Sequence, residues 1–179
     1  MLLSDLNNTL VFMEGSKNGF SLSKERQAVI KKEMTRYETK LSCLIPCLWQ
    51  IQKEKGWISK SAVSWLSDIT QIPESHIYEV LMFYTMFNKK PVGKLHVQIC
   101  GNISCALNGS RELVKELCEK LNVKEGETSS CGNWTVSKVE CLGACDEAPV
   151  IQLNEGYVGK IKKEDALFIL KSKLNSGAN

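Results

Sequence analysis

Four of the eight cysteines in this 179-residue chain stand in two close pairs, Cys100-Gly101-Asn102-Ile103-Ser104-Cys105 and Cys141-Leu142-Gly143-Ala144-Cys145. Each pair follows a strand-like run and contains a glycine. Thiolates grouped in this way suit a dinuclear metal site. Each iron of a 2Fe-2S cluster is tetrahedral, takes two bridging sulfides and needs two protein thiolates to complete its shell. Two pairs therefore match two irons. A loop that turns two thiols toward one point needs positive φ somewhere along it, and glycine supplies that at least steric cost. Gly101 and Gly143 are the candidates. Such loops also aim peptide N–H groups at the sulfurs, which offsets negative charge and tunes the reduction potential.

Other uses of cysteine fit less well. A tetrathiolate zinc site usually has a Cys-x-x-Cys spacing in at least one pair, whereas the intervening residues here number four and three. Disulfides need an oxidising compartment. The opening Met1-Leu2-Leu3-Ser4-Asp5-Leu6 has no basic n-region, so neither a secretory signal nor an arginine-rich transit peptide is expected. Plant-type ferredoxins carry Cys-x4-Cys-x2-Cys in one loop, a pattern that is absent.

The elements that must position these thiols follow from periodicity. Residues 1–20 contain Asn7, Asn8, Gly15, Ser16, Asn18 and Gly19 around a short apolar patch, and predict a loose arm. From Ser23 a helical stripe runs through Val29, Ile30, Met34 and Tyr37, and a second helix from about Leu41 presents Leu44, Ile45, Leu48 and Ile51. Cys43 and Cys47 share a face of that helix and read as core filler. Ser59 is the expected N-cap of a third helix through Thr70, with Ala62, Trp65, Leu66 and Ile69 inward. Pro73 opens a fourth, with Ile77, Val80, Leu81 and Tyr84. The run Met82-Phe83-Tyr84-Thr85-Met86-Phe87 reads as core packing. His76, lacking a visible partner, reads as a surface residue.

Asn88 to Gly93 has the composition of a linker. Beyond it the pattern changes class. Leu95 to Ile99 alternates as a strand, Leu113, Val114, Leu117, Cys118 and Leu121 recur at helical spacing, and strands are expected over 134–139, 150–153 and 157–161. Asn154-Glu155-Gly156 makes a hairpin turn, and a closing helix from about Lys163 buries Ala166, Ile169, Leu170 and Leu174. The predicted class is α+β: a helical bundle over 21–90, then a β-α-β-β-β-α domain over 91–179 with a small mixed sheet. Cys131 lies in a polar turn and is left out of the site.

The net charge of +3 is dispersed, with no basic run or aromatic-interleaved basic patch, which argues against nucleic acid as a partner. No stretch approaches the roughly 20 apolar residues of a membrane span. No Gly-x-Gly-x-x-Gly follows a strand and no Walker-type loop exists, so dinucleotide and flavin have no evident cradle. His76 and His96 make no catalytic pair with a cysteine of the motifs.

Taken together, these residues resemble the small thioredoxin-like 2Fe-2S subunit of NADH:quinone oxidoreductase, respiratory complex I. The likeness covers about residues 20–174. It rests on Ile77-Tyr78-Glu79-Val80 with Phe83-Tyr84-Thr85-Met86-Phe87, on Gly56-Trp57, on Lys90-Pro91-Val92-Gly93, and on the two cysteine motifs with Glu140 and Ala148-Pro149. The resemblance implies that Cys100, Cys105, Cys141 and Cys145 ligate one 2Fe-2S cluster, in a thioredoxin-like ferredoxin domain behind a helical domain. It implies an oxidoreductase subunit with no catalytic activity of its own. FMN and NAD would be bound by a larger flavoprotein partner, beside a neighbouring iron–sulfur subunit, with this chain cytoplasmic and peripheral on the cytoplasmic face of a bacterial inner membrane as part of that complex. The implied role is storage of an electron beside FMN, off the main path to quinone. The equivalent subunit of an NAD-dependent hydrogenase or formate dehydrogenase shares these motifs. A zinc-stabilised interaction module is the reading of another class. Glu140 is expected to face water.

Overall fold

A computed structural model of the chain describes residues 19–176, so nearly all of the predicted arm lies outside the described residues. Two compact units result, one ending at Pro91 and the other beginning at Val92.

The first unit holds α1 (Lys24–Arg36), a 3-10 turn (Lys40–Cys43), α2 (Leu44–Lys55), α3 (Lys60–Thr70) and α4 (Glu74–Phe83). Helix starts follow local chemistry. The Ser23 and Ser59 hydroxyls accept from the N–H groups of Arg26 and Ala62 at 3.4 and 3.1 Å, satisfying donors that have no partner within the first turn. Pro46 lies in the first turn of α2, where no N–H is needed. Gly56, at φ +77°, ends that helix. Leu44, Cys47, Leu48 and Ile51 pack with Trp65, Leu66, Ile77 and Leu81 in one core.

Two expectations change. The α1 stripe is thinner than predicted: Ile30 is buried, but Val29 and Tyr37 are 37% and 36% exposed. Tyr37 has already left the helix for extended backbone, so it drops off the face. Met82 and Phe83, expected in the core, are 64% and 77% exposed, while Phe87 is buried. Ile77 and Leu81 take the inner face of α4 one turn apart, which points residues 82 and 83 outward.

The second unit runs β1 (Leu95–Cys100), α5 (Ile103–Leu107), α6 (Ser110–Lys120), β2 (Trp134–Val139), a 3-10 turn (Cys145–Glu147), β3 (Ile151–Leu153), β4 (Gly156–Val158) and α7 (Lys163–Asn175). The strands form one sheet in the order β2-β1-β3-β4. β1 and β2 are parallel, with Leu95 opposite Trp134 and Cys100 opposite Val139. β3 is antiparallel to both β1 and β4. A parallel pair needs a long crossover, which the stretch containing α5 and α6 provides. The mixed sheet and the helices before it give the predicted α+β class. Leu95, Val97 and Ile99 alternate inward and meet Leu113 and Leu117 of α6 and Ala166 and Leu170 of α7. Cys118 is only half-buried, packed at the margin of this core. β4 is shorter than predicted, since the chain leaves the sheet after Val158.

Candidate metal centre

The two cysteine motifs meet because β1 and β2 are parallel neighbours. Both strands finish at the same end of the sheet, β1 at Cys100 itself and β2 at Val139, just before Cys141. The Gly101 N–H donates to the Val139 carbonyl at 2.8 Å and the Cys100 N–H to the Val150 carbonyl at 3.1 Å, which fixes the first thiol between β2 and the approach to β3. Asn102 then turns the chain, its Oδ1 accepting from the Ile103 N–H at 2.7 Å to start α5, and α5 carries Cys105 back toward Cys100. Cys145 opens the 3-10 turn on the far side.

The sulfurs come together in pairs. The two motifs are coupled electrostatically: the Cys105 and Cys141 thiols help to lower the Cys100 pKa, and Cys100 and Cys145 help to raise that of Cys105. Among the described residues no three His, Cys, Asp or Glu side chains gather as one metal ion would require. Cys100 and Cys105 are buried, and Cys141 and Cys145 are exposed. Val150, Leu142, Ala144 and Ala148 make an apolar shell around the buried pair.

Amides point at the sulfurs. The Gly143 N–H approaches Cys141 Sγ at 3.4 Å. Burial works to raise the Cys100 pKa but is outweighed by the N–H groups of Asn102 and Leu142 and by the Cys105 and Cys141 thiols, so the group is held below the ordinary thiol range. Burial pushes Cys105 up, helped by Cys100 and Cys145, while the Val150 N–H opposes the rise. The donors that lower the Cys100 pKa are ones that a metal-bound sulfur would also use. The donor set, all sulfur with inward amides, fits a 2Fe-2S group.

Gly143 has φ +73°, as the turn requires. Gly101 does not show positive φ; there a Cβ would meet the Lys138 stem at 2.8 Å, so the glycine makes room for a neighbour. Cys131 is exposed in the turn that precedes β2, at the opposite end of the sheet from the four thiols. Cys43 and Cys47 are buried in the helical unit. The Cys43 thiol and then burial push Cys47 well above the ordinary thiol range, as expected of a core thiol. His76 is at the surface, 3.0 Å from Glu79 Oε2. Glu140 is exposed. Three contributors went unnoticed in sequence: Ser104, whose hydroxyl donates to the Cys145 carbonyl at 3.3 Å, and the amides of Leu142 and Val150. Only their closeness to cysteine or to a strand hints at them.

Residues 30–173 match the family of thioredoxin-like 2Fe-2S ferredoxins. The chain belongs to that family. This ferredoxin is 38% identical over 159 residues to an NADH-quinone oxidoreductase subunit of Rickettsia prowazekii (strain Madrid E), covering 84% of the present chain and 89% of the relative. It is also 38% identical over 132 residues to the corresponding NADH-quinone oxidoreductase subunit of Rhizobium meliloti (strain 1021), covering 74% and 79%. Its fold is like that of a chain of an NAD+-reducing NiFe hydrogenase in the air-oxidised state, at TM-score 0.65 and 18% identity. That likeness covers 76% of this ferredoxin and 23% of the hydrogenase chain.

Proposed function

We propose that this ferredoxin is the electron-transfer subunit of an NADH-quinone oxidoreductase, holding one 2Fe-2S cluster on Cys100, Cys105, Cys141 and Cys145. What supports the reading is that the two cysteine motifs leave the same end of β1 and β2 and influence one another's thiols, in a chain similar to NADH-quinone oxidoreductase subunits along most of its length. When bound, such a cluster supplies one-electron chemistry.

The chain's own residues account for the rest. The N–H groups of Asn102, Leu142, Gly143 and Val150 place positive ends of dipoles at three of the sulfurs, which favours the reduced, more negative state. Val150, Leu142, Ala144 and Ala148 limit water at the buried pair. The exposed Cys141 and Cys145 turn the other side of the site outward, the shorter route for an electron from a docked partner. That partner would be a larger flavoprotein subunit that binds FMN and NADH, beside a second iron–sulfur subunit, with the electron stored next to the flavin. No helix among the described residues is long and apolar enough to cross a membrane, and we place the chain peripherally on the cytoplasmic face of the inner membrane.

An anaerobic EPR spectrum before and after dithionite, with iron, zinc and sulfide assays, tests the centre. A silent oxidised form that gives a rhombic spin-half signal on reduction, with iron and sulfide in equal amounts, is expected. Colourless protein containing zinc without sulfide would overturn the reading. Copurification with a quinone-reducing assembly is expected; copurification with a soluble hydrogenase instead would reassign the host complex.

A further inference from the structure

The turn that carries Cys145 is gripped from outside both cysteine motifs. After β4 the chain runs through Gly159, Lys160 and Ile161 as a strap across it. The Lys160 N–H donates to the Glu147 carbonyl at 2.6 Å, and the Ile161 N–H to the Pro149 carbonyl at 3.3 Å. The Lys160 ammonium also meets Glu147 Oε1 at 3.1 Å. Gly159 passes so close that a methyl group on its Cα would strike Glu147 Cβ and lie 3.0 Å from the Glu147 carbonyl oxygen. Lys160 itself takes φ +50°, a left-handed conformation that L side chains rarely adopt and that surrounding structure must hold in place.

A grip on Glu147 reaches Cys145 through a few rigid bonds. The Glu147 N–H donates to the Ala144 carbonyl at 3.1 Å and the Ala148 N–H to the Cys145 carbonyl at 3.4 Å, which closes the 3-10 turn around the thiol-bearing residue. Cys100 and Cys105 are fixed by burial, but Cys145 is exposed. An exposed thiol has little packing to hold it, so its position depends on the backbone beneath it. The Lys160–Glu147 ion pair is itself solvent-accessible and adds little. The close approach of Gly159 and the Lys160 N–H are the parts that fix geometry.

We propose that Gly159 and Lys160 are positioning residues for the metal centre, clamping Glu147 so that the Cys145 sulfur is held where a cluster iron needs it. The inference rests on Cys145 being a ligand. Contacts that orient a ligand commonly change metal affinity tenfold to a hundredfold when lost.

The test compares the full-length chain with Gly159→Ala, Glu147→Gly, the double variant and Cys145→Ser. Readouts are the EPR g-values of the reduced centre, the rate of iron loss to a chelator, and the far-ultraviolet circular dichroism of the cluster-free chain. Gly159→Ala is expected to shift the g-values and to speed iron loss roughly tenfold to a hundredfold. The double variant, which removes the Glu147 side chain that the new methyl would strike and leaves only the 3.0 Å approach to the Glu147 carbonyl oxygen, is expected to return most of the way to the behaviour of Glu147→Gly. Wild-type g-values and iron loss in Gly159→Ala, with both altered in Cys145→Ser, would overturn the clamp alone. A Gly159→Ala chain that fails to fold without its cluster and is not rescued by the second change would also overturn it, because the strap would then serve stability. Unchanged g-values and iron content in Cys145→Ser would instead remove the ligand assignment.

Discussion

The Ser104 hydroxyl donates to the Cys145 carbonyl at 3.3 Å and so ties the loop holding one thiol pair to the loop holding the other. Ser104→Ala deletes a single partly exposed hydrogen bond, which contributes about 1 kcal/mol. Iron loss to a chelator is expected to quicken about fivefold on that basis, with the circular dichroism of the chain unchanged. An unaltered rate would show that the loops are registered without this bond.

Gly93 is buried against β2, where a methyl group would lie 2.6 Å from both N and C of Trp134. Its N–H also donates to Thr135 Oγ1 at 2.7 Å. Backbone of a paired strand cannot yield as a side-chain tip can. Gly93→Ala is therefore expected to cost about 2 to 4 kcal/mol, read as a lower urea midpoint in Trp fluorescence. A midpoint equal to wild type would mean that β2 shifts freely.

His96, half-buried on β1 with Nε2 3.0 Å from Ser137 Oγ, has its pKa lowered by burial to about 4 from 6.5. The unfolded chain takes up this proton near pH 6.5 and the folded chain only near pH 4, so the unfolded state binds more protons between them. Stability from this group is complete above pH 6.5 and falls as pH drops through that window, by on the order of 3 kcal/mol in total. His96→Gln is expected to flatten that acid limb relative to wild type in urea titrations at about pH 7 and about pH 4.5. Parallel slopes would place the acid sensitivity elsewhere.

Cys131 stands apart from the four thiols. Its exposed thiol is held below the ordinary range, first by the Ser129 hydroxyl 3.3 Å away and then by the Asn133 N–H. Iodoacetamide on the cluster-loaded chain is expected to label Cys131 first, with iron content and g-values intact, as mass spectrometry and EPR would show. Loss of iron in step with that single adduct would bring Cys131 into the site.

Local chemistry was legible in the chain. Ser59 caps α3 as its place before an apolar stripe indicates, Gly143 supplies the positive φ that its loop needs, and Ala62, Trp65, Leu66 and Ile69 are buried as their spacing implies. These features depend on a residue and its neighbours within one turn. Met82 and Phe83 face outward against expectation because composition does not say which face of a short helix meets the core. Gly101 departs from expectation for a related reason: the neighbour that requires its missing side chain is Lys138, on another strand.

Residue types and spacing inside each cysteine pair were enough to expect a thiolate metal centre and to place the elements that carry it. The folded sheet alone brings the two cysteine motifs to one end of the domain. That outcome depends on β1 and β2 lying side by side, parallel, with Leu95 opposite Trp134. No residue in either strand encodes this register locally, since it is fixed by which faces of the sheet can bury Leu95, Val97, Ile99 and Val136 together. The contacts from Ser104, Val150 and Gly159 follow from the same packing, and for that reason they became visible only once the sheet was assembled.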